Sequence, residues 1–223
     1  MKRIYFLILF LPFFLNNCIQ TPDPKFPKQI NYLFSVTNVG DTLNVGDDSV
    51  IVREIKLLAD KFNLVLHNGG LLQSQPDALV MEYTARNTDD VLVVSTSIGY
   101  EDIDRFKEME LFISPAEDGD EIRDRDFFGR STNYSFIIKG IYNNDSFVYK
   151  SNVSFEKNFQ FNVIKLTELK ETLTLRILLN IEDILIDSKN RIIDPANQNN
   201  KEVIDSLMKA TIALEAFPSN RLF

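Results

Sequence analysis

Phe155-Glu156-Lys157-Asn158-Phe159-Gln160-Phe161-Asn162-Val163 decides how this chain is read. Phe155, Phe159, Phe161 and Val163 fall on one parity, and Glu156, Asn158, Gln160 and Asn162 fall on the other. Lys157 is the exception on the apolar side. A second run repeats the pattern, with Leu173, Leu175, Ile177 and Leu179 set against Thr172, Thr174 and Arg176. Side chains on a strand alternate between faces, so a period of two puts one face in a core and one in water. Both runs therefore read as half-buried antiparallel strands.

Upstream segments have the same character. Ile30, Tyr32, Phe34 and Val36 alternate, and ordered structure is expected to begin near Ile30. Val50 to Ala59 and Phe62 to His67 read as two strands with Asp60-Lys61 between them, followed by Val91 to Ser95 and Phe106 to Ile113. Tyr134 to Tyr142 and Phe147 to Lys150 flank Asn143-Asn144-Asp145-Ser146. Asn and Asp tolerate turn backbone, so this pair reads as a hairpin. Strands in series without helical repeats between them predict a mainly β fold, an antiparallel β-sandwich of immunoglobulin or transthyretin type.

One helix is expected, over 200–217. Asn199 stands as its cap, with Glu202 three residues on. Val203, Leu207, Ala210, Leu214 and Phe217 follow at spacings of four and three, widened by Ile204, Met208 and Ile212, and Pro218 closes it. An apolar stripe of this kind packs on a sheet.

The N-terminus carries a different signal. Lys2 and Arg3 precede an apolar run from Ile4 to Leu15, broken only by Pro12, and Asn16-Asn17 lead into Cys18, the one cysteine of the 223 residues. Twelve residues are too few for a hydrocarbon core that needs about 20 in a helix, so the segment reads as a secretory signal over 1–17. Leu15-Asn16-Asn17-Cys18 resembles the lipobox of bacterial lipoproteins, with Asn16 and Asn17 in place of the usual small residues. That resemblance implies acylation of Cys18 as the mature N-terminus. Pro22, Pro24 and Pro27 make 18–29 a semi-rigid tether to a single domain over 30–223.

Removal of 17 residues takes two of the 24 basic side chains and no acid. The 206 residues left then carry 22 bases against 32 acids, a net charge of −10. Such a surface repels phosphate backbones, which excludes nucleic acid as the expected partner. It also repels anionic lipid, leaving the acyl chains as the membrane contact. With Cys18 acylated no disulfide can form, and stability must come from a core for which 14 of the 18 Phe residues remain.

The C-terminal third has a family look. Asn133-Tyr134-Ser135-Phe136-Ile137-Ile138-Lys139-Gly140-Ile141-Tyr142 precedes Phe147-Val148-Tyr149, and Ile193-Asp194-Pro195-Ala196-Asn197 precedes the helix with Ile204, Ile212 and Ala216-Phe217. This resembles a group of uncharacterised secreted lipoproteins of Bacteroidota-like bacteria. The stretch Ile55-Lys56-Leu57-Leu58 with Phe62-Asn63-Leu64 is similar to their first strand pair. Members often carry a Trp or Phe before the Asp-Pro turn, where this chain has Ile184 and Leu185, and a Gly-rich turn where it has Ser188-Lys189-Asn190. The resemblance implies a lipid-anchored sandwich on the outer membrane and no activity.

Chemistry-bearing motifs are scarce. The one histidine, His67, beside Asn68-Gly69-Gly70, reads as an exposed hairpin-end residue, and a single histidine forms no His-pair metal site. No Gly-x-Ser-x-Gly elbow occurs. The densest acidic run, Glu117-Asp118-Gly119-Asp120-Glu121 with Asp124 and Asp126, offers Asp118, Asp120, Asp124 and Asp126 as calcium ligands, since that ion takes several convergent oxygens. Interleaved Arg123, Arg125 and Arg130 offer neutralisation instead, and the run reads as a solvated, flexible loop. Asp47-Asp48 and Asp187 with Asp194 read as turn residues.

The expected function is a membrane-anchored, non-enzymatic binding or structural module without a cofactor. Its partners would be the membrane, through the anchor, and an envelope protein or glycan recognised through the 115–133 loop. The alternatives are a carbohydrate-active enzyme using paired carboxylates and a calcium-stabilised structural module.

Overall fold

The structure, a computed structural model, describes residues 28–75, 77–98, 105–165 and 172–219. Cys18 and the rest of the N-terminal segment lie outside them. Among the described residues, twelve strands form two sheets. The first sheet has the order β12(Ala213–Ser219), β11(Thr172–Asn180), β1(Lys28–Thr37), β6(Val91–Ile98). The second has eight strands, with β10(Phe155–Lys165), β7(Arg105–Ile113), β3(Asp48–Leu66), β8(Phe136–Tyr142) and β9(Asp145–Ser151) in order, while β2(Thr42–Val45), β5(Leu79–Thr84) and β4(Leu71–Gln75) pair along β3. Two α-helices among the described residues, α1(Ile181–Leu185) and α2(Lys201–Thr211), lie between β11 and β12. The protein is a mainly β sandwich, as expected, and the expected C-terminal helix, α2, is joined by a second short helix, α1, that was not expected.

The inner faces of both sheets share one core. Ile30, Tyr32, Phe34 and Val36 of β1 meet Ile55, Leu57, Phe62 and Leu64 of β3, with Leu173, Leu175 and Ile177 of β11 alongside. Tyr32 stacks on Phe62 at 4.7 Å between ring centroids, and Phe34 meets Tyr83 edge-on at 6.4 Å. Offset and edge-on ring pairs add to their area burial.

The spine of the second sheet is β3, which unites the two strands expected over Val50–Ala59 and Phe62–His67. Its pairing shifts register between Val52 and Glu54 against β8, and again between Ala59 and Lys61 against β7. Each bulge adds one residue and reverses which parity faces inward. The buried apolar residues accordingly run Val50 and Val52, then Ile55, Leu57 and Ala59, then Phe62 and Leu64. Asp60-Lys61 marks a bulge within one strand, not a break between two.

Two further expectations are corrected. The strand β11 is not half in water: it pairs in parallel with β1 and antiparallel with β12, and Thr172 and Thr174 are buried. The helix over 200–217 stops at Thr211, and the chain turns into β12, where Pro218 lies opposite Leu173. The period changes from 3.6 to two at Ile212, so Leu214 and Ala216 pack on the core while Glu215 and Phe217 meet Arg176 on the other face. An edge strand tolerates the proline because one side of it needs no amide.

Lys157 explains part of that stop. Its ammonium donates to the carbonyls of Lys209 at 3.1 Å and Ala210 at 3.2 Å, satisfying last-turn acceptors and opposing the negative end of the α2 dipole. The misplaced cation of the alternating run is thus the far end of a helix cap. At the other end of α2, the hydroxyl of Tyr149 donates to Asp205 and to the Lys201 carbonyl, pinning the helix to β9.

The Asn143-Asn144 hairpin forms as expected. Both residues have positive φ, 46° and 73°, which a two-residue turn between twisted strands requires. Asn143 also donates to Asp48 at 2.7 Å, joining this turn to the one before β3.

Candidate functional site

The chain enters the sandwich at Lys28, where β1 lies beside Ile98 of β6 and the start of β11. Because Tyr32 meets Phe62 whereas Gly40 donates to the carbonyl of Val52 at 2.7 Å, β1 runs against β3. The end opposite Lys28 therefore carries the β2–β3 turn, the β8–β9 turn and the segment after α1. His67 lies at the Lys28 end, exposed in the turn between β3 and β4 as expected.

The acidic run is not a free loop. Segment 114–134 lies over the outer face of the second sheet, where Ala116, Ile122 and Phe127 pack on Leu58 and Ile137 in a second apolar cluster. Phe127 is fully buried. Backbone bonds from Ala116 to Tyr134 at 3.2 Å and from Tyr134 to Phe127 at 2.8 Å close the segment on itself. Asn133 donates to the Ala116 carbonyl at 2.8 Å. The expectation of a solvated, flexible loop fails because Ile122 and Phe127 sit within the charged stretch and have a sheet face to cover.

Electrostatics fix the segment in place. The ammonium of Lys56, on the outward parity of β3, donates to Asp124 at 2.6 Å and Asp126 at 3.1 Å and pairs with Glu54 at 2.7 Å. Three acceptors use all three of its protons. Lys139 of β8 pairs with Glu54 at 3.1 Å and bonds Asp126. Burial opposes the charge on Lys56, but its hydrogen bonds to Asp124, Glu54 and Asp126 outweigh that and raise its pKa well above the ordinary lysine value. The Lys139 hydrogen bond is the main reason Asp126 is lowered to about 2.

The four calcium candidates are thereby placed differently. Asp124 and Asp126 are held by lysine ammoniums, and Asp124 also accepts from the Asp126 amide at 2.9 Å. Asp120 accepts from the Glu117 amide at 2.7 Å, and Asp118 is exposed. Among the described residues, neutralisation comes from Lys56 and Lys139, distant in sequence, rather than from the interleaved arginines. Among the described residues, no group of three or more His, Cys, Asp or Glu is placed to hold a metal ion.

Two clefts among the described residues bear on binding. One, of about 870 Å³, opens at the end opposite Lys28 and is lined by Asp47, Asp48, Asp187, Arg191, Asp194 and Asn200, among others. The sequence reading of its aspartates as turn residues holds. Asp48 accepts from Tyr142 at 3.1 Å and from Asn143, and Asp187 accepts from the amides of Lys189 at 2.9 Å and Arg191 at 3.0 Å. The Arg191 side chain bonds Asp187 at 2.6 Å and holds its carboxyl below the ordinary range. The other cleft, of about 500 Å³, lies between the end of the 114–134 segment and the start of α2, lined by Thr132, Tyr134, Val148, Lys150, Asn152, Gln198 and Lys201. Its lysines were not singled out in the sequence, because neither belongs to a charge run and only folding brings them to one groove.

The chain matches no protein-family model and no curated protein sequence. Among solved structures it is similar to MbnP from Methylosinus trichosporium, at 10% identity and a TM-score of 0.38, over 71% of this chain and 76% of that one. A likeness so slight bears on neither fold nor function.

Proposed function

We propose that the protein is an envelope lipoprotein of the kind its C-terminal third resembles, held on the outer membrane through acylated Cys18, and that its sandwich is a non-enzymatic module for binding a ligand. The observation that carries this reading is the Lys2-Arg3, apolar, Cys18 succession followed closely by the fold. Only nine residues separate Cys18 from Lys28, where β1 begins. Fully extended, they reach about 30 Å at ~3.3 Å per residue. A diacylglyceryl group and a third chain exceed the two-signal requirement for stable anchoring, at ~0.8 kcal/mol per buried methylene. On this reading the Lys28 end faces the lipid and the opposite end faces outward.

A binding role is favoured over a carboxylate-pair hydrolase by how the cleft aspartates are used. Glycoside hydrolysis needs one carboxyl that carries a proton at working pH. Asp187 is held ionised by Arg191 and two backbone amides, and Asp48 braces two turns. Fractionation of cells grown with labelled palmitate tests the anchor. Native protein is expected in the membrane fraction carrying label, and Cys18→Ser in the soluble fraction without it. Membrane association of the Ser variant with no label in the native protein would overturn the assignment.

A further inference from the structure

The groove between the 114–134 segment and α2 differs in charge from the rest of the molecule. In a chain of net charge −8, it is lined by two lysines and no carboxylate. Each ammonium is held by a neutral oxygen. Lys150 donates to the Asp126 carbonyl at 2.6 Å and lies over the Tyr134 ring at 4.9 Å, and Lys201 donates to the Asn152 side chain at 2.8 Å. Among the described residues, neither forms a salt bridge, although Lys56 and Lys139 on the same sheet face take three carboxylates between them. Two acids close to these lysines are committed elsewhere: the Asp126 carboxylate to Lys139 and Lys56, and Asp205, one helical turn from Lys201, to the Tyr149 hydroxyl.

An ammonium has three protons to donate, and one neutral acceptor leaves capacity for a charged one. Thr132, Asn152 and Gln198 supply a hydroxyl and two amides on the same walls, and Val148, 55% exposed, supplies an apolar surface. A volume of about 500 Å³ exceeds what a lone oxyanion fills and falls within the range of small-molecule sites. Paired cations with neutral donors and acceptors beside a CH-bearing surface match a saccharide that carries an acidic group.

We propose that this groove binds an acidic saccharide, with Lys150 and Lys201 receiving its sulfate, phosphate or carboxylate and Thr132, Asn152 and Gln198 its hydroxyl groups. The inference rests on the binding role proposed above and names its ligand class; it does not depend on the lipid anchor. Lys56 and Lys139 position the groove by fixing the segment that ends at Thr132 and Tyr134. Binding weakens with added salt, since the groove is open to solvent and its charges are screened.

The test is calorimetric titration of the full chain in detergent with a short sulfated oligosaccharide, a short oligouronate, their neutral homologue and inorganic sulfate. At least one acidic saccharide is expected to bind, about tenfold or more tighter than both the neutral homologue and inorganic sulfate. Lys201→Gln and Lys150→Gln are each expected to weaken it about tenfold, while Lys189→Gln, at the remote turn, leaves it unchanged. Thermal melting of every variant accompanies the titration, because Lys150 also props the part-buried Asp126 carbonyl, whereas the Lys201 ammonium bonds the exposed Asn152 side chain. No binding of either acidic saccharide, equal binding of inorganic sulfate, or undiminished binding by Lys201→Gln overturns the proposal. Membrane fractionation of the same preparation reads the anchor separately, so either result can fail without the other.

Discussion

Lys56 and Asp124 stand 68 positions apart in sequence and 2.6 Å apart in space, and that bond fastens segment 114–134 to the outer face of the second sheet. The side chain of Lys56 is only 8% exposed, whereas its carboxylate partners are 20% to 33% exposed. Removing the cation leaves Glu54, Asp124 and Asp126 facing one another with one lysine, Lys139. The cost of an uncompensated buried charge is about 3–5 kcal/mol when fully buried. Water at the carboxylates reduces it here, to about 2 kcal/mol for Lys56→Met. Urea unfolding measures the loss, and Lys56→Met combined with Asp124→Asn is expected to recover part of it.

The same cluster sets an acid limit. Asp126 has a folded pKa of about 2 against an ordinary 3.8, chiefly through Lys139. Its depressed folded value means that the unfolded chain binds the proton first. The stabilisation is therefore full above pH 3.8 and is lost as pH falls toward 2. Unfolding free energies across that window should show a slope that Asp126→Asn flattens.

An alkaline limit follows from Tyr149. Burial first, and then the bond to Asp205, raise its phenol above the ordinary value of 10.0. Here the unfolded chain loses the proton first, so the contribution is complete below pH 10 and declines above it. Phenolate absorbance of Tyr149, isolated by difference against Tyr149→Phe, should appear only with unfolding. The Phe variant keeps the edge-on contact with Phe136 at 6.0 Å and loses the two hydroxyl bonds, at about 1–2 kcal/mol.

Two glycines predict different costs for different reasons. A Cβ at Gly140 would lie 2.2 Å from the Ile51 carbonyl and 2.9 Å from the Phe147 ring, so Gly140→Ala must push β8 off β3 or displace β9, at about 3 kcal/mol. At Gly46 a Cβ meets nothing within 4 Å, but φ is +62°, so Gly46→Ala costs only about 1 kcal/mol of backbone strain. Chemical denaturation of the two variants checks the order.

What the sequence disclosed and what it hid follow from the range of each interaction. The Asn143-Asn144 hairpin and the alternation of β10 over Phe155 to Gln160 are local, and both were legible. The two bulges of β3 are also local, yet each looks like the end of a strand, because a parity change imitates a break. β12 was hidden for a related reason: Leu214 and Phe217 continue a helical spacing, and only pairing with β11 shows that they point to opposite faces. The site was less legible still. Lys56, Lys139, Lys150 and Lys201 are spread over 146 positions, and nothing along the chain indicates that the first two neutralise the acidic segment while the last two do not. Ile122 and Phe127 were the available signal: two large apolar residues in an acidic stretch imply that it covers something.

The most direct measurement of the anchored-module account is the intact mass and N-terminal fragmentation of the protein extracted from membranes. The account predicts a chain beginning at Cys18 and carrying a diacylglyceryl group on its sulfur. A chain that retains Met1 to Asn17, or one that begins at Cys18 with a free thiol, would contradict it.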